Sequence, residues 1–85
     1  MITQTAKSFD RDYVKLPKNI QALAEKQLAL LVENPRHPSL QVKKMKGYKD
    51  LWEGRITIHY RFTFKIVGET YLLRRIGTHE IYKKP

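Results

Sequence analysis

The sequence predicts an α+β fold: one small domain in which an N-terminal strand and a helical hairpin pack on a twisted antiparallel β-sheet. Three observations predict it. The first 40 residues place apolar side chains at helical spacing, the remainder alternates apolar and polar with a period of two, and 85 residues leave room for one modest core. Residues 1–85 are therefore expected to form a single domain.

A short apolar and β-branched stretch from Ile2 to Lys7 is able to pair as a strand. Ser8 offers an N-cap, Asp10 and Asp12 suit the positive end of a helix, and Phe9, Tyr13 and Leu16 recur at helical spacing. A first helix is expected over Phe9 to Leu16, stopped by Pro17, whose ring clashes with a preceding helical turn and which lacks a donor. A second helix is expected over Lys18 to Glu33. Ile20, Leu23, Ala24, Leu28 and Leu31 share one face of it, with Lys18, Glu25, Lys26 and Gln27 largely elsewhere, and Asn34-Pro35 marks its end. The apolar stripe of such a hairpin needs a sheet to cover it.

The sheet follows. Trp52, Gly54, Ile56, Ile58, Tyr60, Phe62, Phe64 and Ile66 fall on even positions, and Glu53, Arg55, Thr57, His59, Arg61, Thr63 and Lys65 on odd ones. A run of this length must reverse, and a turn is expected near Thr57 to His59. To keep even positions in the core on both arms, the register has to set Arg55 opposite Arg61. Gly68-Glu69 suits a two-residue hairpin, which places Arg74 opposite Thr63 on the face of Arg61 and sends Tyr71 and Leu73 into the core. Leu72 and Ile76 then fall on the polar side, and Gly77 is the candidate for a bulge.

Charge narrows the partners. The chain carries 17 Lys and Arg against 8 Asp and Glu, a net charge of +9, with 41% hydrophobic residues that allow it to fold. Residues 1–40 hold six basic and four acidic side chains, net +2, and residues 41–85 hold eleven and four, net +7. So lopsided an excess on a folded domain makes nucleic acid or another polyanion the leading partner. The absence of cysteine excludes disulfide frameworks, thiolate zinc sites and thiol nucleophiles. With no apolar run of membrane-spanning length and no signal peptide, the expected location is the cytoplasm, and no membrane partner is expected.

The polar face of the sheet gathers Glu53, Arg55, His59, Arg61 and Arg74. Arginines opposed across strands repel unless an anion sits between them, and a phosphodiester fills that place, because guanidinium groups bind phosphate oxygens bidentately. His79, in Gly77-Thr78-His79-Glu80 beyond the last strand, is a candidate proton donor or acceptor near neutral pH. Tyr82 is suited either to stacking on a base or to packing on the sheet. Lys43, Lys44, Lys46 and Lys49 form a basic stretch, and Lys83 and Lys84 a basic tail, all candidates for RNA contact with Arg74. The three histidines are scattered and the acids do not cluster, so no metal site is expected, and no small-molecule cofactor is expected either. Phosphoryl transfer on RNA fits such a set, since RNA supplies its own nucleophile, the 2′-hydroxyl.

Three stretches then carry a resemblance: Leu51-Trp52-Glu53-Gly54-Arg55-Ile56-Thr57, Tyr60-Arg61-Phe62-Thr63-Phe64, and Arg75-Ile76-Gly77-Thr78-His79-Glu80-Ile81-Tyr82. Together with the order of elements they resemble the RelE/ParE superfamily of bacterial toxin–antitoxin modules. The resemblance implies a metal-independent, ribosome-dependent endoribonuclease that cuts translated mRNA and is restrained by a co-encoded antitoxin. It further implies that Arg61 is the family's strand arginine and that Arg55 is the basic residue of the preceding strand in the YoeB-like branch. His79 resembles the C-terminal histidine acting as general acid in YoeB-like and YafQ-like members, and Tyr82 falls near their terminal aromatic. Glu53 and Arg55 stand where RelE carries lysines, which leaves Glu53 as the candidate general base. Two other readings stay open: a ParE-like inhibitor of DNA gyrase, and a non-catalytic module that binds RNA or antitoxin.

Overall fold

In the computed structural model, which describes residues 1–85, the chain runs β1 (Ile2–Thr5), α1 (Lys7–Val14), α2 (Lys18–Glu33), β2 (Lys43–Lys44), β3 (Trp52–Arg55), β4 (Arg61–Val67) and β5 (Thr70–Gly77). Short 3-10 turns occupy Pro38–Leu40 and His79–Lys83. The two helices pack on one five-stranded sheet of order β1-β5-β4-β3-β2. β2, β3, β4 and β5 pair antiparallel with their neighbours, and β1 joins the edge parallel to β5, so the sheet is mixed. No helix is long and apolar enough to cross a membrane.

α1 begins two residues earlier than its sequence suggests. Ala6, not Ser8, is the N-cap, and no side chain caps it. Ser8 is used elsewhere: its Oγ donates to the carbonyl of Arg74 at 2.6 Å. The reason lies in the edge of β5. β1 pairs only with Thr70–Leu73, and the backbone groups beyond would be an open edge. α1 closes it, with Ala6 N–H on Leu73 O, Ser8 on Arg74 O, and Asp12 Oδ2 accepting Ile76 N–H at 3.1 Å. α2 spans the residues expected of it, starting on Pro17, whose carbonyl accepts the N–H groups of Ile20 and Gln21. It ends before Asn34, held extended by the proline that follows.

Two positions on α2 depart from the amphipathic reading. Leu23 is 40% exposed, whereas Gln27 is buried. Gln27 reaches the core side because its amide has a partner there, donating to the carbonyl of Arg55 at 2.9 Å.

In the sheet, Arg55 does stand opposite Arg61, with the reversal at Thr57–Tyr60 closed by the N–H groups of Ile56 and Thr57 on Tyr60 O. Gly54, Ile56, Phe62 and Phe64 face the core, and Ile58 and Ile66 do not, lying in the turn and toward the open end of the hairpin. Gly54 is required by packing. A Cβ there would sit 2.3 Å from Cζ of Phe62, whose ring covers this spot. At the Gly68-Glu69 turn the glycine has φ +60°, a left-handed conformation that favours glycine.

The β4–β5 register runs as expected from Val67↔Thr70 to Phe64↔Leu73 and then shifts, so that Thr63 faces Arg75 rather than Arg74. The bulge is thus at Arg74, not at Gly77. It inverts the parity of β5, and this places Ile76 in the core, fully buried, although strict alternation assigns it to the polar side.

Candidate functional site

The face of the sheet away from the helices is built by the odd positions of β3 and β4, and the C-terminal turn lies across it. Thr63, a polar-face residue, is fully buried under that turn, where its hydroxyl donates to Pro85 O at 3.1 Å. Arg75 Nη1 donates to Lys84 O at 2.9 Å, and its guanidinium forks onto Asp12, Nε to Oδ2 at 2.6 Å and Nη2 to Oδ1 at 3.1 Å. The hydrogen bond to Asp12 is the main reason that the Arg75 pKa is raised further. One arginine therefore ties α1, β5 and the C-terminal turn together.

Anchored this way, the turn divides the polar face. On one side is a cleft of about 300 Å³ lined by Lys43, Glu53, Arg61, His79 and Tyr82, with Ile58 and His59 completing it from the β3–β4 turn. These residues come from β2, β3, β4 and the C-terminal turn, and tertiary structure alone brings them together. Arg61 donates to the carbonyl of Thr57, which leaves its remaining donors available to the cleft. Tyr82 Oη donates to Glu53 Oε1 at 3.1 Å, and the exposed Lys43 ammonium stands 3.9 Å from the same oxygen. Burial, and then the charge and hydrogen bond of Glu53, raise the Tyr82 pKa above the ordinary phenol value, while Arg61 pulls the other way. His79 is exposed at the first position of its 3-10 turn, whose N-cap Thr78 accepts Glu80 N–H at 3.4 Å.

No protein-family model matches the chain, and no curated protein matches it. Solved structures do. A metal-bound toxin from Helicobacter pylori is 30% identical over 94% of each chain, with a TM-score of 0.76. The chain belongs to the RelE/ParE superfamily of toxins. Superfamily members at lower identity carry the same fold: a YoeB/ParE toxin from Agrobacterium tumefaciens (18% identical, 93% of this chain and 99% of that one, TM-score 0.78) and the E. coli DinJ-YafQ toxin-antitoxin complex (17%, 92% and 91%, TM-score 0.74).

Within this RelE/ParE-type fold, four of the five residues expected to carry chemistry, Glu53, Arg61, His79 and Tyr82, line one cleft. Arg55 does not line it, although it is the ladder partner of Arg61; its backbone carbonyl is held by Gln27. Lys43, Lys44 and Lys46 border a groove beside Glu53. Lys49, Arg74, Lys83 and Lys84 gather in a different cavity, across the C-terminal turn. Arg74 thus shares the sheet face of Arg61 without sharing its cleft. His59, expected on the polar face and in the β3–β4 turn, also lines the cleft. His37 has a structural duty, its Nδ1 accepting Ser39 N–H at 3.2 Å. No group of three or more His, Asp or Glu converges as metal ligands would.

Proposed function

We propose that residues 1–85 form a single toxin domain of a type II toxin–antitoxin pair, a metal-independent endoribonuclease that cleaves translated mRNA on the ribosome and so inhibits translation in the cytoplasm. The observation that carries this reading is the convergence of Arg61, His79, Glu53 and Tyr82 on one cleft of a strongly basic domain. The relatives held in toxin–antitoxin complexes support a co-encoded antitoxin as partner.

The chemistry follows from the side chains. The 2′-hydroxyl oxygen of the RNA attacks the adjacent phosphorus while the P–O5′ bond breaks, giving a 2′,3′-cyclic phosphate and a free 5′-hydroxyl. Glu53 takes the 2′-hydroxyl proton and His79 gives a proton to the departing 5′-oxygen. Arg61 neutralises the charge that builds on the phosphoryl oxygens, with Arg55 behind it on the neighbouring strand. Tyr82 holds Glu53 in place and offers a ring face to a base. Lys43, Lys44 and Lys46 on one side, and Lys49, Arg74, Lys83 and Lys84 on the other, hold RNA phosphates of message and ribosome.

The test is to induce the chain in cells, to map 5′ ends on a translated message and on a copy lacking its start codon, and to assay DNA supercoiling in parallel. Cuts confined to the translated copy, lost in His79→Ala while ribosome association persists, are the expected result. Full cleavage by His79→Ala overturns the assignment. Intact message with altered supercoiling indicates a gyrase-directed toxin instead, and neither effect a module that only binds.

A further inference from the structure

The second cavity on the polar face, about 450 Å³, is lined by Lys49, Lys65, Arg74, Lys83 and Lys84 and by no acidic residue. Only Lys83 has a carboxylate partner, Glu80 at 3.1 Å. The other four cations make no ion pair. Five like charges around one hollow repel one another, an arrangement that an anion relieves.

Two features show what kind of anion fits. The first is position. Lys65 lies four residues beyond Arg61 on β4, on the same face and about 13 Å along the strand. Only the Tyr82–Pro85 segment over Thr63 separates the cavity from the cleft. The bulge at Arg74 releases that residue from its place opposite Thr63, as bulges do where a side chain is re-aimed beside a functional site. The second is the aromatic rim. Tyr48, 43% exposed, borders the cavity as Tyr82 borders the cleft. Ring faces beside cations suit the bases and phosphates of a single strand.

We propose that this cavity is a second RNA subsite, centred on Lys65 and Arg74, that holds backbone phosphates of the strand a few nucleotides from the bond in the cleft. The inference rests on the ribonuclease reading for the direction of the strand across the sheet. Its test does not depend on cleavage.

The probe is a fluorescent 2′-O-methyl oligoadenylate, which has no free 2′-hydroxyl to attack. It is used at about twelve nucleotides, long enough to span both hollows, and at about three, enough for the cleft alone. Binding is followed by anisotropy over a salt series, with the unfolding midpoint as a check on folding. For Lys65→Gln with Arg74→Gln, the slope of log K against log salt on the longer probe should fall by about 1.4, and affinity about 25-fold at ~0.1 M salt. The slope on the shorter probe, which the cleft still takes, should fall by less than that on the longer one. Lys65→Arg with Arg74→Lys should keep the slope. Lys49→Gln with Lys65→Gln, both side chains outside the core, serves if the first pair unfolds the domain.

An unchanged slope on the longer probe overturns the proposal. So does a loss confined to a poly-glutamate peptide, which would make the hollow a protein-docking site. A fallen slope in a chain that cleaves nothing would uphold the subsite and remove the nuclease reading alone.

Discussion

The hydroxyl of Tyr82 donates to Oε1 of Glu53 at 3.1 Å, joining the C-terminal turn to the third strand across the mouth of the cleft. The pair places a phenol between a carboxylate, which strengthens its hold on the proton, and Arg61, which weakens it.

Burial first, and then Glu53, should hold Tyr82 above the ordinary phenol value of about 10. Glu53→Gln should bring it down and Arg61→Gln should push it up further. A phenolate absorbance titration of each protein against its Tyr82→Phe counterpart reads this directly. The native state binds this proton more tightly than the unfolded chain does. The stability so contributed is complete below about pH 10 and is lost as pH rises through the native value.

Arg61→Lys should cut cleavage about a hundredfold. A lysine ammonium cannot hold the Thr57 carbonyl and two phosphate oxygens at once, as the planar fork of arginine does. Cleavage of a translated message in a reconstituted system, with ribosome sedimentation as control, separates this loss from weaker binding.

Gly54→Ala should destabilise the domain by about 1 to 3 kcal/mol, because the new methyl overlaps the Phe62 ring at 2.3 to 3.0 Å and that ring is fully buried. A lower urea midpoint at unchanged m is the expected result.

Asp12→Ala should cost about 1 to 3 kcal/mol by the same measurement, since it leaves both Arg75 and the Ile76 N–H without their acceptor. Asp12→Asn should lose less, because the amide oxygen still accepts from Ile76.

Much of this was legible in the residues. The change of period near Leu40 separates helices from strands, and the parity of apolar side chains alone sets Arg55 against Arg61. Such patterns are readable because they are local: each records which face of an element is buried. Gln27 defeats the pattern, since what buries it is an acceptor on Arg55 that is 28 positions away. The bulge at Arg74 defeats it as well. No residue type marks that position, and without the bulge Ile76 would sit on the wrong face.

The residues alone settle the α+β class, the boundaries of α2, the pairing of β3 with β4, and the strongly basic C-terminal half. Long-range packing is what sets β1 parallel to β5, lets α1 close the edge of β5, and carries the C-terminal turn across the polar face to part the Arg61 cleft from the Lys65 and Arg74 hollow. Those outcomes depend on contacts such as Asp12 to Arg75 and Thr63 to Pro85, between residues far apart in the chain. Periodicity records the face a residue turns to its own element's neighbours, and it holds no record of which distant segment will cover it.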